Sequence, residues 1–209
     1  MKLLSSLLAL LVASTSTLAQ TTIVWDNFSA GDTYSSSGAW AGMSGGTAYG
    51  TASAFTPTAS GQFDSFTAAI HSINTSAFRP FTLTLTTSVD GKFGTTLWTT
   101  ATQTIGNSSA GLFSLTDIGG PALSAGTEYW MILTSTADGA AVNWRSALPG
   151  NPAGTTSVAN LGSSTNYYTG ADGRVMRVGV SAIPEPSTYA MCCGVAVLGF
   201  AMIRRRFVR

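Results

Sequence analysis

Between residues 20 and 182, apolar side chains alternate with polar ones, and no useful length of chain carries them at helical spacing. Phe81-Thr82-Leu83-Thr84-Leu85-Thr86 is the clearest case, with Phe81, Leu83 and Leu85 on one face and threonines on the other. A period of two fits a pleated strand with one buried face, so this part of the chain is confined to sheet. The good helix formers Glu, Lys, Gln and Arg are scarce there. Threonines and aromatics, which suit half-buried pleated surfaces, are plentiful.

Turn residues divide the stretch into short segments. Strands are expected over 23–28, 47–55 and 62–70, the last two separated by Pro57 and Gly61. In the third, Phe63, Ser65, Thr67 and Ala69 share one face and Asp64, Phe66, Ala68 and Ile70 the other. Residues 31–46, rich in Gly and Ser, read as a long loop anchored by Trp40. Asp90-Gly91 tolerates positive φ and predicts a hairpin from 81–89 into 95–102. Further strands are expected over 111–116, 127–135, 141–145 and 174–180, with Met176, Val178 and Val180 on one face of the last. Residues 148–156 and the surroundings of Tyr167-Tyr168 read as loops. About nine strands at this spacing imply an all-β fold, an antiparallel β-sandwich or jelly roll. No fixed-period repeat points to a solenoid or propeller.

The two ends differ in kind. Lys2, the apolar Leu3–Val12 and the small-residue site Thr17-Leu18-Ala19 form a secretory signal peptide over 1–19, with Gln20 the first mature residue. No Cys follows the apolar stretch to support a lipid anchor. At the other end, Pro184 and Pro186 fix φ and remove two donors, giving an extended spacer suited to recognition by another protein. An uncharged run reaches Ile203. As a helix, 188–203 would cover roughly 24 Å, and interfacial Tyr189 and the arginines can make up the remaining bilayer thickness. Arg204, Arg205 and Arg206 place the far end in the cytoplasm.

Pro184-Glu185-Pro186-Ser187, an apolar stretch and the arginine cluster resemble the PEP-CTERM sorting signal of Gram-negative bacteria, over 183–209. The resemblance implies Sec export, transient residence in the inner membrane through the C-terminal helix, and processing by an exosortase. It also implies a place at the cell surface or in an exopolysaccharide or biofilm matrix. A second resemblance covers about 52–145. Ala54-Phe55, the 63–70 strand, Asp90-Gly91-Lys92-Phe93-Gly94 and Gly126-Thr127-Glu128-Tyr129-Trp130 are similar to choice-of-anchor β-sandwich domains, which carry no assigned activity.

Setting both ends aside leaves one domain, 20–182, large enough for a core of its own. Over 20–186 the cations are Arg79, Lys92, Arg145, Arg174 and Arg177, against all nine carboxylates of the chain. A net negative segment with one lysine argues against nucleic acid and anionic lipid as partners. Both cysteines, Cys192 and Cys193, lie in the apolar tail, so no disulfide is expected in the domain.

Chemistry-bearing clusters are sparse. His71 is the one histidine, no G-x-S-x-G elbow is present, and no His/Cys set could hold zinc. The aspartates of Asp90-Gly91, Asp138-Gly139 and Asp172-Gly173 are better explained by turns than by paired-carboxylate hydrolysis. No catalytic residue, cofactor or metal is therefore assigned, with loop calcium a minor alternative. Aromatics are the remaining resource. Trp25, Trp98 and Trp130 suit the core, while Trp40, Trp144, Tyr167 and Tyr168 are the ligand-binding candidates, able to stack on sugar rings. The expected function is a non-enzymatic surface or matrix protein binding exopolysaccharide. The alternatives are a purely structural or adhesive protein and, third, a polysaccharide hydrolase.

Overall fold

The structure, a computed structural model, describes residues 20–44, 47–72, 78–106, 111–137, 139–151, 156–160, 168–170 and 173–183. The expected signal peptide and the sorting residues Pro184, Glu185, Pro186, Ser187, Arg204, Arg205 and Arg206 lie outside these. Among the described residues no helix is long and apolar enough to cross a membrane.

The strands are β1 (Thr21–Asp26), β2 (Gly38–Ser44), β3 (Thr47–Phe55), β4 (Gly61–Ser72), β5 (Arg79–Val89), β6 (Lys92–Thr99) and β7 (Gln103–Ile105). They continue as β8 (Gly111–Leu115), β9 (Ala122–Leu123), β10 (Tyr129–Thr134), β11 (Gly139–Arg145), β12 (Thr156–Asn160), β13 (Tyr168–Gly170) and β14 (Met176–Ser181). A 3-10 turn, Ala30–Asp32, is the one helical element among the described residues. The strands join in one antiparallel network whose main path is β1-β14-β4-β11-β2-β3-β10-β5-β6. The all-β expectation is borne out.

Two central strands organise this path. In β4, residues 66–68 lie between β14 and β8, and Ile70 lies between β11 and β8. Thus β14 and β11 follow one another along one edge of β4. In β3, residues 50–53 lie between β10 and β12, while Tyr49 pairs with both Gly42 of β2 and Asn160 of β12. So β2 and β10 share one edge of β3 in tandem, and the strand changes partner at Gly50. It links an arm built on β4 to an arm built on β10 and β5.

The arms touch through aromatics far apart along the path. Phe63 of β4 meets Trp98 of β6 edge-on at 5.2 Å, Phe81 of β5 meets Phe113 of β8 at 5.1 Å, and Trp25 of β1 meets Phe55 of β3 at 6.5 Å. Between them lies a core of Phe55, Phe63, Phe66, Ile70, Leu83, Leu85, Met131, Leu133, Trp144, Met176 and Val178, all essentially inaccessible to water. Burying each large side chain contributes about 1.5–3 kcal/mol. A smaller cluster, Ala52, Ala54, Trp130 and Ile132, occupies the opposite face of β3 and β10. β10 is therefore buried on both faces.

The hairpin forms as the sequence predicts. Val89 pairs with Lys92, and Asp90 (φ 52°) and Gly91 (φ 70°) take the two positive φ values of a primed turn, whose twist matches the strands. The faces of β14 are also as expected, with Met176, Val178 and Val180 in the core.

Two expectations are corrected. Phe63 and Phe66 both enter the core, because the β14–β4 register shifts between Phe63 and Ser65. Asp64 is the extra residue of this bulge, and its carboxylate turns out to accept from Thr21 Oγ1 at 2.6 Å. The loop expected over 31–46 contains β2 instead. Its Ala39 and Ala41 alternate with Trp40 and pair with Trp144 and Val142 of β11.

β1 is fixed against β14 beyond its own end. The Asn27 side chain, fully buried, accepts from Met176 N at 2.7 Å and donates to Arg174 O at 3.0 Å, replacing a ladder pair. Arg177 then bridges Asp26 (2.7 Å) and Asp32 (2.6 Å), its guanidinium 5.3 Å from the centre of the Phe28 ring.

Candidate functional site

β11 and β2 divide their side chains cleanly between two faces. Ala41, Val142 and Trp144 point into the core, as does Ile70 of the adjoining β4. The alternating residues Trp40, Asn143, Arg145 and His71 therefore lie on the outer face. Register aligns three of them across the sheet: Trp40 pairs with Asn143, and Asn143 with His71. The row covers two strand spacings, about 10 Å.

Trp40 is 39% exposed although it sits in a strand. Its neighbour is Tyr49 of β3, with ring centroids 5.3 Å apart and planes at 58°. Gly42, directly opposite Tyr49, leaves room for the two rings to meet diagonally. The result is an angled aromatic pair at one end of a polar row.

Gly38 pairs with Arg145 on the same face, one pleat from Trp40. A Cβ at Gly38 would clash with Asn143 Oδ1 and stand 2.5 Å from the Trp144 carbonyl, so only glycine leaves the Asn143 amide its place. Asn143 Oδ1 and His71 Nδ1 are covered and have no hydrogen-bond partner. Asn143 Nδ2 makes no hydrogen bond among the described residues. Burial lowers the His71 pKa and the Arg145 guanidinium lowers it further, opposed by the Asn143 backbone. His71 is thus neutral at pH 7 and carries one ring N–H. Arg145 forms no salt bridge or side-chain hydrogen bond among the described residues.

The four aromatic candidates separate. Trp40 stands on the outer face. Trp144 does not: it is fully buried, edge-on to Phe66 at 6.0 Å, and its Nε1 donates to Val175 O at 2.8 Å. It sits mid-sheet rather than near a loop, and offers no ring face to a ligand. Tyr167 lies outside the described residues; Tyr168 opens β13 opposite Val158, and its side chain lies outside the description. Trp25 and Trp98 pack against the core and Trp130 is buried, as expected.

Tyr49, Asn143, His71 and Arg145 were not among the expected site residues. The alternation of Val142-Asn143-Trp144-Arg145 was the available signal, since it puts two long polar side chains opposite two core residues.

Among the described residues no three of His, Cys, Asp and Glu gather as metal ligands. Asp26 and Asp32 are both held by Arg177. What the outer face offers is two rings, ring and amide N–H donors, and a guanidinium. That is binding chemistry for a polar ligand with an apolar face. No family model matches the chain, and no curated protein matches its sequence.

Proposed function

We propose that this chain is an exported β-sandwich protein of the bacterial surface or extracellular matrix, and that it binds polysaccharide on the outer face of β2, β11 and β4. The observation carrying this reading is the exposed Trp40 ring, set against Tyr49 and in line with Asn143 and His71. A pyranose has an apolar face that stacks on an indole and a rim of hydroxyls that accept from N–H donors. The row is long enough for about two sugar units. The sandwich reading is supported by the aromatic contacts between the arms and by β3, which changes partner midway, as strands at sheet corners do.

Export and sorting rest on the sequence: the 1–19 signal peptide, and the resemblance of 183–209 to an exosortase substrate. In this reading the Sec machinery and an exosortase are processing partners, and the matrix polymer is the lasting one. The role is binding rather than catalysis.

The test is a glycan array probed with the 209-residue chain, with Trp40→Ala and Tyr49→Ala beside it. Saturable binding that both variants weaken supports the site. Binding retained in both variants overturns it, and no binding by folded protein leaves the structural or adhesive role.

A further inference from the structure

The proposed polysaccharide site contains a group that a neutral sugar does not require. Arg145 lies on the same face as Trp40, two residues along β11 from Asn143, and opposite Gly38. Its guanidinium has no described partner, whereas Arg177 is held by two carboxylates. The surrounding strands supply none. β2, β3 and β11 contain no Asp or Glu, and the single carboxylate of β4, Asp64, sits at the distant bulge and accepts from Thr21. On a domain that is net negative, this face therefore presents a positive charge that no carboxylate among the described residues pairs with.

We propose that the ligand is an acidic polysaccharide bearing carboxylates, a uronic-acid polymer, and that Arg145 takes the carboxylate while Trp40 and Tyr49 hold an adjacent ring. This rests on the polysaccharide reading above and narrows it. A guanidinium matches a planar carboxylate with two parallel N–H donors. The diagonal offset from Arg145 to Trp40 is about 7–8 Å between α-carbons, within reach of a substituent on the sugar next to a stacked one. Arg145 is half-buried, so solvent weakens this contact less than it would at a fully exposed site. A nucleic acid or anionic membrane does not fit as well, because each needs many cations and this face has one.

The test compares polygalacturonate, its carboxyl-reduced form, dextran and dextran sulfate as ligands for the 209-residue chain. Arg145→Gln, Arg145→Lys and Trp40→Ala are measured alongside, with circular dichroism confirming that each variant is folded. The expected result is polygalacturonate binding that falls about tenfold or more on carboxyl reduction and in Arg145→Gln. Arg145→Lys recovers part of that loss, and Trp40→Ala weakens binding independently. Equal binding of reduced and native polymer, lost in Trp40→Ala but not in Arg145→Gln, overturns the acidic inference and leaves the stacking site standing. A preference for dextran sulfate overturns carboxylate selectivity. Polygalacturonate binding unchanged in both Arg145→Gln and Trp40→Ala overturns the inference and this location, and no binding to any polymer removes both readings.

Discussion

His71 and Arg145 lie on neighbouring strands of one sheet face, and burial together with the Arg145 guanidinium lowers the histidine pKa below its ordinary value of 6.5. The unfolded chain therefore takes up a proton at His71 at a higher pH than the folded chain does. Stability should be full above pH 6.5 and should decline as pH falls through 6.5, levelling off below the folded pKa. Urea midpoints measured from pH 7.5 to 5.5 check this. His71→Asn should flatten the slope in that window, and an unchanged slope would show that other groups cause it.

Trp144 combines a large buried ring with a buried donor. Trp144→Ala should cost about 3–5 kcal/mol through the cavity it leaves. Trp144→Phe should cost less, about 1–3 kcal/mol, chiefly because Val175 O loses its side-chain partner. Equilibrium unfolding of both variants checks the order. If the ring were a ligand platform instead, Trp144→Ala would lower affinity and leave the midpoint unchanged.

Gly38 is held to glycine by its neighbours. Gly38→Ala puts a methyl group against the Trp144 carbonyl and the Asn143 amide, and the carbonyl belongs to a paired strand that cannot easily withdraw. A loss of about 1–3 kcal/mol is expected, together with weaker polysaccharide binding as Asn143 is displaced. Thermal unfolding and one binding isotherm measure the two effects separately.

Asn27 satisfies two buried backbone groups with one amide. Asn27→Ala should cost about 1–3 kcal/mol by removing the side-chain partner of Met176 N and Arg174 O. Hydrogen exchange at the Met176 amide should accelerate in the variant, and unchanged protection there would refute the assignment.

Much of the sheet was legible because burial writes itself into alternation. Phe81-Thr82-Leu83-Thr84 on β5 and Met176-Arg177-Val178 on β14 show it directly. β2 escaped because its inward residues are Ala39 and Ala41. A strand that packs closely uses side chains too small to stand out among the glycines of a loop. The Asp64 bulge escaped for another reason: an extra residue inverts the facing of everything beyond it, and only the partner strand reveals where. The candidate site was half visible. Trp40 could be named from the sequence, but its alignment with Asn143 and His71 depends on register among three strands distant in the chain.

The pairing of Thr21 with Ser181 sets how this domain bears load. β1 and β14 are antiparallel, so the chain enters and leaves the sheet at the same end of one ladder. A pull between the two exits does not shear that ladder as a block. It opens the strands like a zipper, one pair after another, from Thr21–Ser181 towards Asp26–Arg177. The Thr21–Asp64 hydrogen bond lies at the start of that path, and the Asn27 amide and the Arg177 ion pairs lie at its far end.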